Sequence, residues 1–314
     1  MLTHFIRLTN ISIKENKMKR LISSNASDLI AYSAKELKQS IKASEGRTVC
    51  AENVAVREAF IGDITGAEIA TAFGADLILL NAVDVLEPKL AGIENQADFV
   101  NELKKLVGRP IGVNLEPIDP DAKMMEDFLE ISRGRTVNKD SLAALDKLGM
   151  DFLCLTGNPG TGVTNKTIAQ AIKLAKENFS GLIIAGKMHS SGVDEPVTNK
   201  ETIETFVKAG ADIILVPAVG TVPGFDSEDL KAAVKVAHAN DALVMTAIGT
   251  SQEGSSKETI RQIAIANKIC GVDIQHIGDA GYGGLAPVEN IFEISLAIRG
   301  IRHTVSMMAR SVNR

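Results

Sequence analysis

Gly210-Ala211-Asp212-Ile213-Ile214-Leu215-Val216-Pro217-Ala218-Val219-Gly220-Thr221 compresses three structural events into twelve residues. The glycine ends a helical pattern by supplying a left-handed C-cap. The β-branched run Asp212–Val216 then reads as a buried strand. Proline, glycine and threonine stop that strand and open a loop. The same turn returns as Gly74-Ala75-Asp76 and Gly271-Val272-Asp273, each leading into another apolar run.

Working outward, strand-like runs fall at Arg47–Ala51, Asp76–Asn81, Ile111–Leu115, Asp151–Leu155, Leu182–Ala185, Asp212–Val216, Ala242–Thr246 and Asp273–Ile277. Their starts lie 29, 35, 40, 31, 30, 30 and 31 residues apart, and about 30 residues is one βα unit. Helical spacing fills the gaps at Glu68–Phe73, Asp98–Val107, Ser141–Leu148, Ile168–Glu177, Glu201–Ala209, Glu228–Ala239, Glu258–Cys270 and Val288–Ile298. Thr164, Asn199 and Asp226-Ser227 supply start signals.

Eight uninterrupted units predict an α/β chain folded as one (βα)8 TIM barrel over residues 46–314, ending in a helical tail. An open doubly wound sheet would normally place GxGxxG after its first strand, where this chain has Glu52-Asn53-Val54. Residues 1–45 are expected to be an N-terminal extension followed by a helix over Ala26–Ala43 that covers the barrel bottom. Met18 is a candidate start, which would leave residues 1–17 outside the fold. The stretches Glu87–Asn95 and Pro117–Thr136 are candidate lids.

The chain has 314 residues, 45% hydrophobic and 23% charged, with net charge −5, no Trp and two Tyr. Acidic and basic residues alternate without a basic stripe, so nucleic acid is not an expected partner. No stretch of about 18 apolar residues exists, so no membrane span is expected. The N-terminus has no apolar signal core, and Cys50, Cys154 and Cys270 read as isolated buried thiols. Together these predict a cytoplasmic protein. Arg299, Arg302, His303, Arg310 and Arg314 read as a solvated helix end, or else as a subunit contact in a homo-oligomer.

In such barrels the chemistry sits in the loops after the strands. Here these contribute Glu52, then Asn81 and Asp84, then Asn114 and Glu116, then Asn158 within Thr156–Gly162, then Lys187 and His189. The seventh and eighth loops, Gly249–Ser256 and Gly278–Gly284, are rich in Gly, Ser and Thr. Glycine lets backbone N–H groups approach an anion closely, and hydroxyls add donors. Gly249, Thr250, Ser251, Gly254, Ser255, Gly281, Gly283 and Gly284 are therefore candidate phosphate-binding residues, although glycine also serves plain tight turns. The fourth loop has Gly157 and Gly162 at P-loop spacing but lacks the P-loop lysine, so it reads as a rigid turn or a nest for a second anion or a carboxylate.

Lys187 and His189, two apart, are expected to share a face at the mouth. A lysine in a dry mouth can form a Schiff base or act as a base, and His189 can move protons. Glu116 is the leading acid–base candidate and Asp279 its assistant. Asp84 and Glu116 could alternatively hold Mg²⁺; otherwise no cofactor is required. His276 is expected to be a buried structural imidazole.

The seventh and eighth loops resemble those of the phosphate-binding (βα)8 barrels, which include ribulose-phosphate epimerases, phosphosugar aldolases and N-acylmannosamine-phosphate epimerases. The chain departs from them in lacking Asp-x-Lys-x-x-Asp and in placing Pro217 and Ala218 where aldolases carry a lysine. It also resembles a bacterial TIM-barrel family sometimes labelled haloacid-dehalogenase-like or phosphoenolpyruvate phosphonomutase-like. That likeness rests on Leu115-Glu116-Pro117, Thr156–Gly162, Ala185-Gly186-Lys187-Met188-His189, Gly249–Gly254 and His276–Tyr282. Neither the dehalogenase nucleophile loop nor the phosphonomutase acidic motif is present. The resemblance implies an enzyme acting on a small phosphorylated carbohydrate or keto compound. The reaction would be proton abstraction next to a carbonyl or aldol-type cleavage, as in an isomerase, epimerase or lyase. The alternatives are Mg²⁺-dependent enol chemistry on a carboxylate, or a barrel that binds a phosphometabolite without turnover.

Overall fold

The computed structural model describes residues 18–314. The expected extension over residues 1–17 lies outside them. Eight strands form a closed, all-parallel barrel in chain order: β1 Thr48–Val54, β2 Leu77–Asn81, β3 Ile111–Leu115, β4 Phe152–Leu155, β5 Leu182–Gly186, β6 Ile213–Pro217, β7 Leu243–Ile248 and β8 Ile274–Ile277. Closure is made by β1 against β8, with Cys50 opposite His276. The aspartates that precede several strands stay outside them and cap them. Asp76, Asp151 and Asp273 accept from the N–H of Val49, Ile111 and Val244, each on the neighbouring strand. That explains why the strands begin one residue later than the apolar pattern suggests.

Two short helices, α1 Ala26–Ala31 and α2 Ala34–Lys42, stand where one helix over 26–43 was expected. Ser33 breaks the run because it caps α2: its Oγ accepts from the Glu36 N–H while the Glu36 carboxylate accepts from the Ser33 N–H. Leu29, Leu37 and Ile41 from these helices join Leu77, Phe152, Leu182, Ile213 and Leu243 in the cluster that fills the barrel interior. They close the end opposite the mouth.

The outer ring is α3 Gly66–Ala72, α4 Phe99–Val107, α5 Lys139–Leu148, α6 Asn165–Asn178, α7 Lys200–Ala209, α8 Ser227–Ala239, α9 Lys257–Ile269 and α10 Val288–Met308, the last bent at Gly300. Among the described residues no helix is long and apolar enough to cross a membrane.

The basic C-terminal segment is not simply solvated. Arg299 is fully buried against Asp76 at 2.5 Å, and its guanidinium also donates to the Gly74 carbonyl. It ties α10 to the turn before β2. Arg310 reaches Asn25 Oδ1 at 2.8 Å and so holds the chain end to the bottom layer. The three cysteines are free and buried.

Strand alternation fixes the site. Cys50, Leu79, Cys154, Ile184, Leu215 and Met245 point into the barrel, whereas Val49, Ile78, Leu153, Ile183, Ile214 and Val244 face the helices. Two residues above Cys50, Leu79 and Cys154 the inward side chains are polar: Glu52, Asn81 and Thr156.

Candidate active site

A cavity of about 200 Å³ opens at the C-terminal ends of the strands. Glu52 and Asn81 enter it from β1 and β2, Asn114 from β3, Thr156 and Asn158 from the end of β4, and His189 from beyond β5. Gly249, Thr250, Ser251 and Glu253 follow β7, and Asp279 follows β8.

Asp279 is the most perturbed acid in the cavity. Burial, reinforced by the nearby carboxylates Glu52 and Glu253, pushes its carboxyl up to about 7. A hydrogen bond from Asn81 Nδ2 at 2.9 Å opposes that rise and fixes the carboxyl's orientation. Burial also raises Glu253.

His189 is shifted the other way, because burial disfavours its imidazolium. Its Nδ1 accepts the Ser191 N–H at 3.0 Å. The neutral ring therefore carries its hydrogen on Nε2, and among the described residues no hydrogen bond engages that nitrogen. His276 lies inside the barrel beneath the site, as a buried imidazole should. Its Nε2 stands 3.1 Å from Glu52 Oε2 but at an angle that makes no hydrogen bond. Glu52 Oε1 instead accepts from Asn114 Nδ2.

Several sequence expectations are corrected. Lys187 does not share the cavity with His189. Ala185 and Lys187 lie on the helix-facing side of β5, opposite to Ile184, and Gly186 at φ +150° turns the chain before the mouth. Lys187 Nζ is buried against Glu195 Oε1 at 2.6 Å. That same oxygen accepts the Asn165 N–H at the start of α6. The lysine fastens a loop to a helix, and burial lowers its affinity for the proton.

Glu116 is buried but turned toward the fourth loop. Its carboxylate accepts from Arg135 Nη2 at 2.7 Å, the Asn158 N–H at 2.8 Å and Asn158 Nδ2 at 2.9 Å. It is a positioning residue, and it is the carboxylate that the fourth loop's free N–H receives. Asn158 in turn bonds Asn81, which bonds Asp279. Asp84 caps its own turn, accepting from the N–H of Leu86 and Glu87. Asp84 and Glu116 both grip the 132–136 segment and do not form a cation site together. Among the described residues no group of three or more His, Cys, Asp or Glu could hold a metal ion.

The expected phosphate cradle is not assembled. Gly249, Thr250 and Ser251 line the cavity, but Gly254, Ser255, Gly281, Gly283 and Gly284 do not. The N–H groups of Gly254 and Ser255 close a turn onto Ser251 and Gln252. Gly283 and Gly284, both at positive φ, let the eighth loop lie against the chain after β1: a Cβ at Gly284 would meet Val54 at 2.6 Å. Thr250 Oγ1 bonds Thr221 and Gln252.

The Ala280 N–H, which an anion would need, is taken by Glu253 Oε1 at 3.1 Å. Among the described residues no Lys or Arg lines the cavity. A dianionic phosphate would face three carboxyl groups with no cation to offset them. Glu253, buried in the cavity lining, is a site residue that the sequence reading did not single out. Its position between two anion-loop segments was the available signal.

The candidate lid over 117–136 lies across the neighbouring loops. Its N–H groups at Asp119, Met125 and Leu129 donate to the carbonyls of Gly162, Gly192 and Gly160.

Among solved structures, an archaeal fructose 1,6-bisphosphate aldolase is 14% identical, with 82% of this chain and 95% of that chain covered and a TM-score of 0.51. A thiamine phosphate pyrophosphorylase from Pyrococcus furiosus is 15% identical, covering 82% and 98%, with a TM-score of 0.45. The 2,3-dimethylmalate lyase of the PEP mutase/isocitrate lyase superfamily is 11% identical, covering 81% of each chain, with a TM-score of 0.47. At 14% identity the likeness to the archaeal aldolase speaks to the barrel fold alone. No curated protein matches the chain. A family model described as "Domain of unknown function (DUF7916)" matches residues 22–314, and the chain belongs to that family.

Proposed function

We propose that this chain is an acid–base enzyme that moves a proton next to the carbonyl of a small metabolite. Asp279 is the base, and the neutral His189 donates from Nε2 to the carbonyl oxygen as negative charge develops there. The observation that carries the reading is their presence in one small cavity: a buried carboxyl held near neutrality and an imidazole whose tautomer is set by the Ser191 N–H. A base titrating near pH 7 is half available and still basic enough to abstract a proton. A neutral imidazole is a suitable donor to an enolate, because its own proton is not lost to it outright.

Asn81 and Asn158 orient the base, and Glu116 holds Asn158 in place. The resulting enediolate or enolate would lead to isomerisation, epimerisation or carbon–carbon cleavage, and the chemistry as written calls for no cofactor. Small ketones and hydroxyketones incubated with the protein in D2O, followed by proton NMR, test it. Wild type should wash out the hydrogen next to the carbonyl of at least one compound. Asp279→Asn should slow that exchange by about 10²–10⁴-fold. Equal exchange by the variant, or none by wild type across the panel, overturns the reading.

A further inference from the structure

Three polar atoms in cavity-lining residues have no partner among the described residues: Glu253 Oε2, Asn114 Oδ1 and Thr156 Oγ1. Their residues are 2%, 4% and 2% exposed. All three atoms can accept a hydrogen bond. The Asn114 amide cannot be turned to offer its N–H₂ instead, because Nδ2 already donates to Glu52. The cavity therefore asks for a ligand rich in donors.

Charge narrows the class. Glu52, Glu253 and Asp279 line the cavity, and among the described residues no Lys or Arg does. Glu253 and Asp279 are neighbours, since Glu253 Oε1 binds the N–H of Ala280, the next residue. An anion would be repelled there. A polyol would satisfy the acceptors but leave the carboxylates uncompensated. An ammonium group does both, being a compact cation with three donors.

We propose that the substrate class of this site is a small amine, with its ammonium group seated at Glu253 Oε2 beside Asp279. Hydroxyl donors on the remainder of the ligand meet Asn114 Oδ1 and Thr156 Oγ1, which stand across the mouth on β3 and at the end of β4. The inference rests on the proton-transfer reading only in taking the same cavity as the site.

Three probes of one carbon skeleton test it: 1-amino-2-propanol, 1,2-propanediol and lactate, together with inorganic phosphate, titrated into the intact protein by ligand-observed NMR. The amine is expected to bind at least tenfold more tightly than the diol, with lactate and phosphate weaker still. Glu253→Gln keeps an acceptor for the Ala280 N–H while removing the charge. It should weaken the amine at least tenfold and leave the diol within twofold. Lactate or phosphate binding as tightly as the amine, or four indistinguishable probes, overturns the proposal. The wild-type series decides this even if the variant fails to fold. Deuterium exchange into an anionic ketone combined with no preference for amines would remove the amine assignment and leave the proton-transfer reading standing.

Discussion

Replacing Asp279 by asparagine is expected to stabilise the protein at pH 8.5 while removing its activity. The carboxyl titrates at about 7 in the fold, against 3.8 for the free group. Below about pH 3, both folded and unfolded chains hold the proton and nothing is lost. Between about 3 and 7 the unfolded chain releases the proton first, so stability falls as pH rises. Above 7 the full penalty is present. About three pK units correspond to about 4 kcal/mol. Asp279 keeps some exposure at the mouth, which halves the expectation to about 2 kcal/mol. Asparagine retains an oxygen to accept from Asn81 Nδ2 and carries no charge to desolvate. In urea unfolding, the difference between variant and wild type should grow from near zero at pH 3 to about 2 kcal/mol at pH 8.5, or roughly 4 °C in Tm. Other titrating groups cancel in that difference. A difference that does not change with pH, or a loss of stability at pH 8.5, would refute the reasoning.

Three further outcomes follow from the geometry. Lys187→Met should lower stability by about 2 kcal/mol, as Glu195 loses a charged partner, while proton exchange persists. Borohydride trapping with carbonyl compounds should leave Lys187 unmodified by mass mapping. Glu116→Gln should cost about 3 kcal/mol in thermal unfolding, because Arg135 loses its counter-charge and one of the two oxygens that receive Arg135 and the Asn158 amides becomes a donor. It should also speed hydrogen exchange at the Asn158 N–H. Arg299→Met should cost about 3–5 kcal/mol by leaving Asp76 buried without its cation, and an unchanged Tm would contradict that pairing.

The barrel was legible because its repeat is long and its punctuation chemical. Gly74, Gly210 and Gly271, all at positive φ, mark the turns into strands, and the strands were placed to within two residues at either end, except that β1 runs three residues past Ala51 to Val54. The bottom was less legible, since the apolar spacing of α1 and α2 continues across a break that only the Ser33–Glu36 capping pair reveals. The site was partly legible. Glu52, Asn81, Asn114, Asn158, His189 and Asp279 do converge on one cavity. Lys187 does not, and the reason is phase. Ile183, Ile184 and Ala185 are all apolar and all buried, so nothing in β5 says which of them faces the helices. A shift of one residue exchanges the two faces. The roles of Glu116 and Glu253 depend on partners 19 and 27 residues away, Arg135 and the Ala280 N–H, which local pattern does not encode. Glycine composition at the seventh and eighth loops was read as anion binding, when the positive-φ glycines of the eighth loop serve its packing against the chain after β1.

The claim on which the account turns is that Asp279 is half-ionised near neutrality within the cavity. Carbon-13 NMR of aspartate-labelled protein, with the Asp279 carboxyl assigned by its loss in Asp279→Asn, measures this directly. A carboxyl titrating close to pH 7 is the predicted result. A midpoint in the ordinary range for aspartate, about 3 to 5, would contradict it.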